Sequence, residues 1–190
     1  MPLLAADDPL PGCPRRVLVA GTSGSGKTTL AARISVVLQV PHVEIDALFH
    51  GPAWTPRPTF PDDVARLAAG PAWITEWQYH QVRALLADRA DLLVWLDLSR
   101  PQVMQQVVRR TLQRRWRRSV LWNGNVEPPL WTVVTDPEHI VRWAWSTHAG
   151  TAQHVAALRA RRPELDVVRL PDRSALERWV TGPLRDAAGR

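Results

Sequence analysis

Eight residues, Gly21 to Thr28, constrain this chain more than any others. They read G-T-S-G-S-G-K-T and match the pattern G-x-x-x-x-G-K-[ST] in full. Arg16 to Ala20 (RVLVA) precedes them and reads as a short buried strand. Lys27 to Leu38 follows, with Leu30, Ala31, Ile34, Val37 and Leu38 at helical spacing. In that setting each residue type has a physical reason. Glycines let consecutive backbone N–H groups point inward and let the chain approach an anion closely. The N-terminus of the following helix adds a positive dipole end. Gly21, Thr22, Ser23, Gly24, Ser25, Gly26, Lys27, Thr28 and Thr29 are therefore the expected nucleotide-phosphate set. Lys27 can reach β- and γ-phosphate oxygens, and the Thr28 hydroxyl can bind Mg²⁺. A plain Gly/Ser turn with a solvated lysine would not require the flanking strand and helix.

Strand and helix patterns alternate along the rest of the chain. His42 to Ile45, Ala72 to Thr75, Asp91 to Leu98 and Leu165 to Leu170 read as further strands. Helices are expected at Pro61 to Ala69, Tyr79 to Arg89, and Ser99 to about Arg118. Another should run from Thr135 to about Arg161, interrupted near Gly150, and a last from Asp172 to Ala188, disturbed at Gly182-Pro183. Ser99 with Gln102, and Thr135 with Glu138, have capping-box spacing. This alternation predicts an α/β doubly wound fold, a parallel sheet covered on both faces, with ligands beyond the carboxyl ends of its strands.

Composition narrows the classes. At 190 residues, with 45% hydrophobic and 22% charged, the chain suits one soluble domain. Residues 1–14 read as a loose tail and 15–190 as the domain. No apolar run approaches the roughly 20 residues a membrane helix needs, and MPLLAADDPLPG lacks the basic start of a secretory signal. Cys13 is the single cysteine, so no intramolecular disulfide can form, and a cytoplasmic location is expected. The net charge is +6, and Lys27 is the only lysine, so the basicity is otherwise arginine. Such a balance points to anionic partners.

The stretches GTSGSGKTTLA, PHVEIDALFHGPAWTPRP, WITEWQY, ADLLVWLDLSR and the Arg-rich run after them carry a resemblance. The chain resembles the nucleoside monophosphate kinase-like branch of P-loop proteins, which shikimate and gluconate kinases share. More narrowly, it looks like the bacterial adenylate kinase-like or topology modulation proteins. The resemblance implies a three-layer P-loop NTPase fold. Its five-stranded parallel sheet, counted from Arg16, would have the order 2-3-1-4-5, with a helical Arg/Trp-rich lid at about 110–142. It implies ATP and Mg²⁺ as cofactors, and an acceptor over strands 2 and 3 that is a nucleotide or a hydroxylated metabolite. Asp46, ending strand 2, would orient or deprotonate the acceptor, and Glu76, ending strand 3, would hold a Mg²⁺ water. Arg109 or Arg110 would stack on adenine, and the loop Pro171-Asp172-Arg173 would rest on its other face. Nucleotide kinases follow the strand 3 acid with Gly-Phe-Pro-Arg. Here the run is Glu76-Trp77-Gln78-Tyr79-His80, so His80 stands where that arginine would, and Arg83 or Arg57 would have to replace it.

Other candidates follow from the residues themselves. Asp46 and Glu44, two apart on a strand, would share a face, with His42 completing an acid-rich edge. There Asp46 could take the acceptor's proton or bind Mg²⁺ through water, while Glu44 and His42 read as a solvated strand end. Asp97 closes an apolar run and is a third candidate for the metal. Arg110, Arg114 and Arg117 share one helix face, and no acidic residue occurs from Leu98 through Val126. In a lid, Arg110 and Arg114 would neutralise charge on the transferred phosphoryl group. Phe49 and Trp54 are expected to line the acceptor pocket, and the later tryptophans to pack the lid. The alternative is a nucleotide-dependent nucleic-acid-binding protein or nucleic-acid-end kinase, using the patch from Arg114 to Arg118. The chain would act as a monomer or homodimer, without a membrane.

Overall fold

The computed structural model describes residues 3–106 and 140–190, with backbone alone for 140–149. Its strands are β1 Leu3–Leu4, β2 Arg16–Gly21, β3 Trp73–Glu76, β4 Leu92–Leu96 and β5 Asp166–Leu170. They form one parallel sheet in the order β1-β5-β4-β2-β3. The described helices are α1 Lys27–Leu38, α2 Ile45–Phe49, α3 Phe60–Ala69, α4 His80–Arg89, α5 at residues 100–106, α6 Ile140–Arg161, α7 Arg173–Thr181 and α8 Pro183–Ala188.

The period of two along β2 explains why both sheet faces are covered. Val17 and Val19 point into one core with Leu30 and Ile34 of α1 and Trp179 of α7. Leu18 and Ala20 point into the other, with Phe60 and Val64 of α3, Leu86 of α4 and Val155 and Leu158 of α6. All four of these β2 residues are completely buried. Such continuous apolar strands mark a parallel sheet sandwiched between helices. Helix ends follow the sequence signals. The Ser99 N–H donates to Gln102 Oε1 at 2.9 Å, and Asp172 Oδ1 accepts from the Ala175 N–H at 2.8 Å. Gly182 divides α7 from α8, as its Gly-Pro step predicts.

Three expectations are corrected. The strand at His42 to Ile45 shrinks to a single parallel bridge, His42 to Ile74. The chain turns instead into α2, because the Glu76 carboxylate accepts the Ile45 N–H and starts the helix there. The fifth strand is β1, from the segment read as a loose tail. Leu3 and Leu4 pair with Val167 and Val168, and Ala6 and Leu10 are buried in the core. The strands shared with the expected order keep it, with β3, β2, β4 and β5 side by side. Finally, α6 runs unbroken through Gly150, where a Cβ would meet only His154 Cε1 at 3.8 Å. The expected lid at 110–142 lies largely outside the described residues.

Candidate phosphate and acceptor site

The loop between β2 and α1 is shaped by sterics. A Cβ at Gly21 would collide with Ser25 Oγ and come within 3.1 Å of Leu96 Cβ, so a side chain there would displace the Ser25 hydroxyl and crowd β4. Gly24 and Gly26 hold φ of 81° and 95°, in the left-handed region that side chains disfavour. The Ser25 N–H closes the loop onto the Thr22 carbonyl at 3.0 Å. Lys27 Nζ donates to the same carbonyl at 3.3 Å, folding its ammonium over the loop. Gly26 caps α1 without a side chain, and the first turn of α1 holds no acid. The open amides and positive helix end therefore meet no competing carboxylate of that turn. Ser25 Oγ is buried with no hydrogen-bond partner among the described residues. A buried hydroxyl of that kind suits an arriving oxyanion. These features fit a nucleotide's phosphates.

Beside the loop, at the carboxyl end of β3, two carboxylates have separate environments. Glu76 is 3% exposed. Its Oε1 lies 3.2 Å from His42 Nε2, and its Oε2 accepts the Ile45 N–H at 3.0 Å. Burial alone would raise its pKa, but the bonds to His42 and Ile45 outweigh burial and hold it below the usual carboxylate value. His42 is thus the partner of Glu76 rather than a solvated strand end. Asp46 sits in the first turn of α2, not on a strand, so it does not share a strand face with Glu44. Its Oδ1 accepts from Tyr79 Oη at 2.6 Å and also from Gln78 Nε2. Tyr79 Oη is in turn 3.3 Å from His50 Nε2. Burial first, then the charge of Asp46, push the Tyr79 phenol far above its ordinary value. Tyr79, Gln78 and His50 were not singled out from sequence as site residues. The one usable signal was the chain's single tyrosine, three residues after a strand-ending acid.

Aromatic rings wall this corner. Phe49 stacks on Tyr79 at 4.1 Å and meets Phe60 edge-on at 5.0 Å, while His50 meets Trp54 edge-on at 5.1 Å. Trp54 is carried by a short turn in which Ala53 and Trp54 both have positive φ, 54° and 59°. The remaining candidates divide. Arg57 is engaged by Asp63 at 3.1 Å and by the Leu48 carbonyl at 3.4 Å. Arg83 lies over the Trp77 ring at 5.5 Å, and its Nε is buried without a partner among the described residues. Burial lowers its pKa. His80 is exposed at the start of α4. Asp97 is paired with Arg169 at 2.6 Å, which covers Trp95. Pro171 and Arg173 are exposed where β5 gives way to α7. Arg109, Arg110, Arg114, Arg117 and Arg118 lie outside the described residues. Among the described residues no three His, Cys, Asp or Glu side chains form a metal cluster. A divalent ion that takes most of its ligands from water and a nucleotide's phosphates needs no such cluster.

No protein-family model matches the chain, and no curated protein matches it. Solved structures do. A gluconokinase from Sinorhizobium meliloti 1021 matches with a TM-score of 0.53 at 18% identity, over 94% of this chain and 96% of that one. A shikimate kinase from Acinetobacter baumannii, in complex with shikimate, matches with a TM-score of 0.51 at 15% identity, over 92% and 89%. The chain has the fold of P-loop small-molecule kinases. No described helix is long and apolar enough to cross a membrane.

Proposed function

We propose that the chain is a phosphotransferase that moves the γ-phosphoryl group of Mg·ATP to a hydroxyl of a small acceptor. The observation that carries this is an anion cradle after β2 together with a carboxylate oriented by residues that follow the neighbouring strand β3. The cradle is residues 21–28 and the carboxylate is Asp46, held by Tyr79 and Gln78. Lys27 and the loop amides would hold the β- and γ-phosphates, and Thr28 would hold Mg²⁺. The metal, when bound, neutralises charge on the phosphates. Asp46 would align the acceptor hydroxyl and take its proton. Phe49 and Trp54 would form an apolar wall for the acceptor's carbon skeleton. Arg83, with no carboxylate partner among the described residues, would receive an acidic group on it, whereas the charge of Arg57 is already used by Asp63. Arg110 and Arg114 would supply lid charge, Arg109 or Arg110 with Pro171 and Arg173 would hold adenine, and Glu76 would reach metal-bound water only through its remaining lone pairs. The fold neighbours named as gluconokinase and shikimate kinase support a hydroxylated metabolite as the acceptor class.

The test is ADP release from Mg·ATP by the wild type and by Lys27→Ala. It is run alone and with a panel of hydroxylated acids, sugars, nucleoside monophosphates and nucleic-acid ends. One acceptor should raise turnover well above background, and Lys27→Ala should cut it by about 100-fold or more. Slow hydrolysis that no acceptor stimulates would remove the reading.

A further inference from the structure

We propose that Tyr79 is a positioning residue, whose phenol joins the Gln78 amide in holding Asp46 Oδ1 so that Oδ2 is presented to the acceptor. This deepens the phosphotransfer reading and rests on it. The first support is the direction of the hydrogen bonds. An ionised carboxylate only accepts, and a phenol has one proton to give. The 2.6 Å contact is therefore Tyr79 donating to Asp46. The 3.3 Å contact must then be His50 donating from Nε2 to Tyr79. His50, Tyr79 and Asp46 form one directed chain ending on Oδ1.

The second support is the placement of the phenol. The ring is stacked on Phe49 and met edge-on by Phe60 at 5.2 Å. Its backbone has φ 60° and ψ 105°, which a tyrosine rarely adopts and which surrounding contacts must impose. A strained backbone that delivers one half-buried hydroxyl to one carboxylate oxygen is expected where geometry matters to function. The third support is the neutrality of the donors. Among the described residues Asp46 has no ion pair, and the groups that hold its Oδ1 are a phenol and an amide. The other titratable groups around the pair are Glu76, which is bonded to His42, and Glu44 and His50 on either side of Asp46 in sequence.

Tyr79→Phe keeps the ring and removes the proton. With the acceptor found in the panel, kcat should fall by about 10-fold, with KM changed less than about 2-fold. A role in folding alone would change thermal stability and leave the kcat of the folded enzyme unmoved. A second measurement needs no acceptor. Tyr79 is the only tyrosine, so ¹³Cζ-tyrosine labelling gives one NMR signal. It should not titrate near pH 10, and it should shift in Asp46→Asn. A signal that titrates like free tyrosine, or ignores Asp46→Asn, overturns the inference directly. A stimulated wild type whose kcat is unmoved in Tyr79→Phe overturns it while phosphotransfer stands. If no acceptor stimulates the wild type, both fall together.

Discussion

Replacing Glu76 by alanine tests how the acceptor side is built. The side chain is 3% exposed, and it holds α2 through the Ile45 N–H at 3.0 Å and the loop before it through His42 at 3.2 Å. Hydrogen bonds to charged groups contribute about 1.5–3 kcal/mol each, and two are lost, so the expected loss is about 3–5 kcal/mol. With a urea m-value of about 2 kcal/mol/M, the unfolding midpoint should drop by about 2 M. Tryptophan fluorescence can follow it, since Trp73 and Trp77 flank the site in sequence. The pH dependence has a definite sign. Bonds to His42 and Ile45 overcome burial and hold Glu76 below its ordinary value of 4.5. Its contribution is therefore complete above about pH 4.5 and is lost as pH falls through the lower folded value. The gap between wild type and Glu76→Ala should be widest near neutrality and should narrow in acid. Equal midpoints at pH 7, or a gap that persists unchanged at pH 3, would refute the bracing role.

Two further substitutions probe other parts of the argument. Gly26→Ala places a side chain at φ 95°, where the nearest atom to a new Cβ is Gln106 Oε1 at 3.7 Å. The penalty is thus conformational, about 1–2 kcal/mol, and ATP affinity measured by calorimetry should weaken by about 10-fold or more. Unchanged affinity would mean the loop amides do not hold phosphate. Leu10→Ala removes a side chain that is 2% exposed, and should destabilise by about 2–5 kcal/mol in denaturant unfolding. A dangling segment would give less than about 0.5 kcal/mol.

The central fold was legible because its signals are local. The anion loop, α1, and strands β2, β4 and β5 each follow from apolar runs and glycine placement within a few residues. The errors came where a distant group decided the outcome. Nothing in H-V-E-I-D-A-L-F shows that Glu76, far along the chain, will accept the Ile45 N–H and turn a strand into a helix. Nor does MPLLAADDPL show that Leu3 and Leu4 will find the edge of β5. Asp46 was legible as a chemical residue, but its donors were not, since Tyr79 reads locally as the start of a helix. Arg57 and Arg83 were indistinguishable by sequence. Only Asp63 beside the first, with no acid beside the second among the described residues, separates them.

The loss of strand 2 changes what the two acids can do. A strand advances about 3.3 Å per residue and would have carried Asp46 outward along the sheet edge, with Glu44 on its face. A helix advances about 1.5 Å per residue, so Asp46 stays within reach of Gln78 and Tyr79 just past β3. Glu76 makes that turn, and in doing so commits both of its oxygens to His42 and Ile45. Among the described residues the side-chain hydrogen bonds at Asp46 fall on Oδ1, and the donors are neutral. One acid is buried with both oxygens hydrogen-bonded; the other is half-buried and held through one oxygen. When two carboxylates meet past the same strand end, environment assigns their roles. That assignment makes Asp46, rather than Glu76, the residue whose removal should abolish transfer to an acceptor while leaving the fold in place.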